Sequence, residues 1–218
     1  MFIQLDSQVL YYEKEGEGSP VIMLHGNGED HTIFDGLVPS LSREHTVYLL
    51  DSRGCGLSSP SEAYHYKDMA QDVVNLIRST GIKRPSIFGF SDGGIIGLLI
   101  AAAFPDMLEK LIVCGANLSP KGLTFLSRRA IKAEYRKTKS AMVKMMLEEP
   151  NISEAMLQRI QVPTLVYAGE KDMIKLSETK RIADAVANST LRIIPKADHM
   201  SYVVHSDLIA DEVVEFLR

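Results

Sequence analysis

An α/β architecture, a mostly parallel sheet with helices on both faces, is what this sequence predicts, and three observations predict it. Short runs rich in Val, Ile, Leu and Phe recur at 21–24, 46–50, 85–88, 110–114, 164–167 and 190–194. Apolar runs of this length read as strands buried on both faces. Stretches of helical pattern lie between them, at about 32–41, 67–79, 95–103, 177–187 and 208–217, which is the alternation that parallel crossovers need. Third, several strands run straight into loops bearing Gly, Asp, Ser or His, and in such sheets ligands gather beyond the carboxyl ends of the strands.

The elements follow in order. Residues 2–5 and 9–15 form an antiparallel hairpin, and the turn-rich run Gly16-Glu17-Gly18-Ser19-Pro20 closes its second strand. Strand 21–24 leads into His25-Gly26-Asn27-Gly28, and strand 46–50 into Asp51-Ser52-Arg53-Gly54-Cys55-Gly56-Leu57-Ser58. Strand 85–88 enters Gly89-Phe90-Ser91-Asp92-Gly93-Gly94, and a helix rich in small and aliphatic residues leaves it. After strand 110–114, about forty residues, 119–161, separate it from the next strand, room for two or three helices. That insertion is expected to form a short lid. A chain of 218 residues, 45% of them hydrophobic, supports one domain over 1–218 that carries the lid.

Composition narrows the function classes. A formal charge of −4 and a pI near 5.9 provide no whole-chain drive toward nucleic acid or an anionic membrane, so the expected partner is a small-molecule substrate, with no nucleic acid and no membrane. The opening Met1-Phe2-Ile3-Gln4-Leu5-Asp6 lacks a basic segment followed by an apolar one, and the expected location is cytoplasmic. Cys55 and Cys114 fall in no CxxC or Cys/His pattern, so neither a disulfide nor a metal site is expected, and no cofactor is implied. Oligomeric state is not legible.

The chemistry sits at the strand ends. A strand, tight turn and helix around Gly89-Phe90-Ser91-Asp92-Gly93 lift the Ser91 hydroxyl above the sheet edge and set the Asp92 N–H at a helix N-terminus. Gly89 and Gly93 answer a crowded approach of helix to strand. A serine hydroxyl becomes a nucleophile when an imidazole takes its proton and a carboxylate holds that imidazole. His199, after strand 190–194, is the expected base, and Asp172, after strand 164–167, the expected acid; Glu170 and Asp198 are its competitors. The Asn27 and Asp92 backbone N–H groups are the expected oxyanion hole. His25 reads as a satisfied loop histidine, Asp51 and Arg53 as an ion pair or network that fixes loops, and His205 as a solvent-facing or helix-capping residue.

With these motifs quoted, the chain resembles the α/β-hydrolase superfamily nearly end to end. The strings HGNG, DSRGCGLS, GFSDGG, GEKD and ADH are similar to its oxyanion loop, arginine-glycine segment, nucleophile elbow, acid turn and histidine loop. GFSDGG, the helix after it and Cys114-Gly115-Ala116-Asn117 locally resemble the valacyclovirase (biphenyl hydrolase-like) branch. There, the acid after the nucleophile is associated with the amino group of amino-acid esters, and Asp92 stands at that position; capping of the elbow helix is the alternative role. The resemblance implies a cofactor-free serine hydrolase that cleaves small carboxylic esters or amides through an acyl-enzyme. A receptor with slow turnover, and an acyltransferase or perhydrolase, remain open beside it.

The lid carries the most unusual charge. Residues 121–144 hold eight basic side chains against one acid, Glu134, a local +7 that leaves −11 for the rest of the chain. A solvated helix face is the expectation, with attraction of an anionic substrate or partner as the alternative. Leu123, Phe125, Leu126, Ile131, Met142, Met145 and Met146 are expected to pack on the body. Met142, Met145 and Met146 are the candidates to line an adaptable substrate pocket.

Overall fold

The computed structural model describes residues 1–5 and 8–218. Among these residues eight strands form one sheet: β1 (Phe2–Gln4), β2 (Val9–Glu15), β3 (Ser19–Leu24), β4 (His45–Leu50), β5 (Ser86–Phe90), β6 (Leu111–Cys114), β7 (Thr164–Gly169) and β8 (Ser189–Ile194). Their spatial order is β1-β2-β4-β3-β5-β6-β7-β8. β1 and β2 pair antiparallel, as do β2 and β4, and every later pairing is parallel. The α/β class and the strand list of the sequence reading are therefore observed.

Alternation along the strands explains why both faces are apolar. Ile22 and Leu24 of β3 point into one cluster with Leu50, Ile87 and Val113, while Val21 and Met23 point into the other with Val47, Phe88 and Ile112. Successive side chains leave a strand on opposite sides, so a sheet covered twice needs an unbroken apolar run. Helices α2 (Tyr66–Thr80), α3 (Asp92–Ala103) and α7 (Leu176–Ala185) cover the first face; α1 (Val38–Leu41) and α8 (Ala210–Leu217) cover the second. No described helix is long and apolar enough to cross a membrane.

Two local expectations change. The single helix expected at 32–41 is a 3-10 turn, His31–Phe34, followed by the short α1. Between them the chain at Gly36 lies against the Ser206 backbone with no room for a Cβ, so the backbone follows that contact instead of one helical axis. The lid comprises α4 (Phe125–Thr138), α5 (Ala141–Glu148) and α6 (Glu154–Leu157). Thr124 and Ser140 cap α4 and α5 by accepting from the Ser127 and Val143 N–H groups.

The lid is rooted on the turn after β7. Leu123 bridges Ile174, the Thr124 N–H donates to the Met173 carbonyl, and the Lys175 N–H donates to the Gly122 carbonyl. Leu123, Ile131, Val143 and Ile174 form a small separate cluster beneath it. Phe125 and Leu126, expected to pack on the body, instead face solvent. Ile131 is the one residue of α4 that is buried, and the helical period carries positions 125 and 126 to the far side of the axis from it.

Candidate active site

The elbow is a constrained turn. Ser91 has φ 53° and ψ −113°, outside the ordinary regions for a residue with a side chain. Three backbone bonds hold the surrounding turn: Ser91 N–H to the Cys114 carbonyl at 2.7 Å, Gly93 N–H to the His25 carbonyl at 3.1 Å, and Ile95 N–H to the Ser91 carbonyl at 3.1 Å. A Cβ on Gly93 would overlap the Leu24 carbonyl, and one on Gly89 would overlap the Gly93 carbonyl. The two glycines thus let α3 start directly against β3 and β5.

From this turn the Ser91 Oγ lies 3.1 Å from His199 Nε2, and His199 Nδ1 lies 2.7 Å from Asp172 Oδ1. Asp172 is itself held by backbone donors, the Ile174 N–H at 2.9 Å on Oδ1 and the Gly169 N–H at 3.2 Å on Oδ2. Buried carboxylates need such partners. The imidazole packs beside Phe90, ring centroids 5.0 Å apart. Behind it runs Gly115 at φ 62°, where a Cβ would sit 2.7 Å from His199 Cε1 and 2.9 Å from Nδ1. A residue with a side chain there would push the imidazole aside.

The competing acids go elsewhere. Glu170 accepts the Lys196 N–H, and Asp198 accepts the Met200 and Ser201 N–H groups away from the imidazole. His25 is a buried loop histidine: Nδ1–H donates to the Gly26 carbonyl and Nε2 accepts the Ser52 N–H, and burial holds its pKa below the usual range. His205 is exposed and meets Asp35. Asp51 and Arg53 do not pair with each other. Asp51 accepts from the backbone N–H groups of His31 and Leu57 and meets the His31 ring, while Arg53 makes a bidentate buried pair with Asp72. Both fix loops, through separate networks.

On the other side of the serine lies a second buried carboxylate. Asp92 is 3% exposed; Tyr66 Oη donates to Oδ1 at 2.6 Å and Asn27 Nδ2 donates to Oδ2 at 2.8 Å. Burial raises its pKa above the usual carboxylate range, and these two hydrogen bonds oppose that shift. The hydrogen bonds that its carboxylate accepts come from the Tyr66 and Asn27 side chains, not from the backbone of α3. The backbone N–H groups of Asn27 and Asp92 donate to no protein acceptor among the described residues.

Tyr66, Asn117, Leu123, Met146, Glu149, Met173 and Ile174 close over Ser91 and Asp92, leaving a cavity of about 10 Å³, scarcely the space of one water. Of the three methionines expected to line the pocket, Met146 does so. Met145 packs instead into the main core, and Met142 touches the Cys55 thiol. Met145 and Met146 leave α5 about 100° apart, which sends one to the core and the other to the pocket, while Met142 lies one turn before Met146 on the same side and meets Cys55 instead.

Three residues near the serine escaped the sequence reading. Tyr66 opens α2 and lies 26 positions from its partner; Glu149 follows α5 and accepts the Tyr66 N–H; Glu29 accepts the Gly26 N–H at 2.9 Å. A Cβ at Gly26 would fall 2.5 Å from the Glu29 carboxylate and 3.1 Å from Ser91 Cβ, so this acid borders the elbow, and burial raises its pKa. No local pattern marks any of the three. Asp30, His31 and Asp51 place ligand-type atoms within 4.8 Å of one another, but Asp30 caps Thr32 and the other two bond each other.

Comparison with known proteins agrees with this geometry. Residues 19–143 match the model of the alpha/beta hydrolase fold family. The chain is 29% identical over 241 residues to the serine hydrolase BPHL of Mus musculus, covering 96% of this chain and 83% of that one. It is 25% identical to the pimeloyl-[acyl-carrier protein] methyl ester esterase of Pectobacterium atrosepticum, over 96% and 98% of the two chains. Among solved structures, the enol-lactonase of Burkholderia xenovorans LB400 superposes with a TM-score of 0.83 at 21% identity, covering 100% and 99% of the two chains, which speaks for the fold. A matched family model over more than half of the sequence, together with the elbow and sheet order, establishes that this chain belongs to the α/β-hydrolase fold family and is a hydrolase of that fold.

Proposed function

We propose that the protein is a serine hydrolase of small carboxylic esters or amides that works through an acyl-enzyme, with a preference for esters of amino acids. The observation that carries the first part is the hydrogen-bonded line from Ser91 Oγ through His199 to Asp172. Ser91 attacks the carbonyl carbon as its proton passes to His199 Nε2, Asp172 steadies the imidazolium, and the Asn27 and Asp92 N–H groups receive the developing oxyanion. The imidazolium protonates the leaving alcohol or amine. Water then attacks the acyl-enzyme with His199 as base, which releases the acid and restores the serine.

The amino-ester preference is supported by Asp92, by Glu149 on the same cavity wall, and by the resemblance of GFSDGG to the valacyclovirase branch. A carboxyl whose pKa burial has raised gains most from a cation, because an ammonium beside it stabilises the ionised form. A cavity of about 10 Å³ admits even a compact acyl group only when a lining side chain such as Met146 or Met173 shifts on entry.

Matched ester pairs with and without a free α-amino group, assayed on the parent and on Asp92→Asn, test this. The parent should favour the amino ester, and the variant should lose about 10- to 100-fold of that discrimination, the worth of one charged hydrogen bond. The parent's KM for the amino ester should fall as pH rises through the Asp92 pKa, because the ionised carboxylate binds the cation. No amine preference in the parent would remove the amino-ester reading and leave the hydrolase reading standing.

A further inference from the structure

The outer face of the lid helix α4 combines two features that rarely share a monomer's surface. Phe125 and Leu126, adjacent at its first turn, are each 76% exposed. Arg129, Lys132 and Arg136 follow Phe125 at spacings of four, seven and eleven residues, and Lys137 follows Leu126 at eleven; all are exposed. These spacings place the two apolar side chains and the four cations on one side of the helix, opposite the buried Ile131. Glu134, the one acid between 121 and 144, lies off this stripe.

The charge is divided by region as well as by face. The segment from 121 to 144 carries +7 and the remainder −11, so the net −4 is the sum of two opposed parts. A molecule divided in this way is turned by an anionic surface until its lid faces that surface and its body faces away. A protein partner would be expected to seat Phe125 and Leu126 in pockets of its own, for α4 is convex and none of the described cavities is lined by either residue. A bilayer needs no pocket: apolar side chains enter the acyl boundary while cations along about 16 Å of helix rest on phosphates.

We propose that α4 is a docking surface for an anionic lipid bilayer, with Phe125 and Leu126 as the inserting pair and Arg129, Lys132, Arg136 and Lys137 as its phosphate contacts. The inference rests on the lid's outer face alone and is independent of the chemistry proposed for Ser91. It departs from the whole-chain expectation of no membrane partner, which was drawn from net charge.

The test is flotation of the intact protein with vesicles of phosphatidylcholine alone and of an equal mixture with phosphatidylglycerol. The protein should float with the mixed vesicles and not with phosphatidylcholine. Binding should weaken at least about tenfold when salt is raised from a Debye length of about 10 Å to one of about 3 Å. Phe125→Ser with Leu126→Ser, and separately Arg129→Gln with Arg136→Gln, should each weaken it about tenfold or more, while hydrolysis of a soluble ester and the melting temperature stay at parent values. Absence of flotation with mixed vesicles at low salt would overturn the proposal, as would equal flotation with both compositions. Binding unchanged in the serine pair, with soluble poly-glutamate competing as well as vesicles, would assign the face to an acidic polymer or protein and overturn it too.

Discussion

The floor and the roof of the pocket are built differently. The floor consists of turns at strand ends whose backbone has few alternatives: a strained Ser91, glycines where a Cβ would overlap a carbonyl, and an Asp172 carboxylate held by two N–H groups and an imidazole. The roof is three helices that meet the body through the small cluster of Leu123, Ile131, Val143 and Ile174, through Met145 and Leu157 in the main core, and through backbone bonds to the turn after β7. Constrained turns fix the serine, imidazole and carboxylate, whereas the cover presents methionine and leucine side chains that can adopt several shapes over them. Substitutions in the floor should therefore change rate, and those in the roof should change preference.

The largest effect should come from the proton relay. Ser91→Ala and His199→Ala should each lower kcat about 10⁴-fold or more, the double variant should be no slower than either single one, and Asp172→Asn should cost about 10³- to 10⁴-fold. Steady-state kinetics on a soluble ester checks all four; additive losses would mean that the groups do not act as a unit. Next is Gly115→Ala, which adds no polar group but places a carbon within 2.7 Å of His199 Cε1. Displacing the imidazole by about 1 Å should cost about 10²-fold in kcat with KM little changed, and a parent-like rate would show that the loop yields. The smallest effect belongs to the roof. Met146→Ala should change kcat for an acetate ester less than about threefold and raise the relative kcat/KM of longer acyl chains by up to about tenfold, since added methylenes are worth about 0.8 kcal/mol each when buried. A large uniform loss across chain lengths would place Met146 in the floor.

The same division explains what the sequence could reveal. Strand ends followed by Gly, Ser, Asp or His are local signals, so Ser91, Asp172 and His199 could be named from position alone, and the structure brings their side chains together. The alternation that buries β3 on both faces is local too. What could not be read depends on packing between distant segments. Tyr66 reaches Asp92 because α2 lies beside α3, and Gly36 breaks a helix because residue 206 passes it. In the lid, composition shows that apolar residues are present but not which face they occupy: Phe125 and Leu126, expected on the body, face solvent, Met145 packs on the body as expected but does not line the pocket, Met142 meets Cys55, and Met146 lines the pocket.

The most direct measurement follows p-nitrophenyl acetate hydrolysis at early times, with the intact mass and the labelled peptide of the quenched protein. A burst of about one equivalent followed by sustained turnover, an acetyl group on Ser91, and no acetylation of His199→Ala on the same timescale are the predicted results. An acetyl group on another residue, or labelling of Ser91 at the parent rate without the imidazole of His199, would contradict the account.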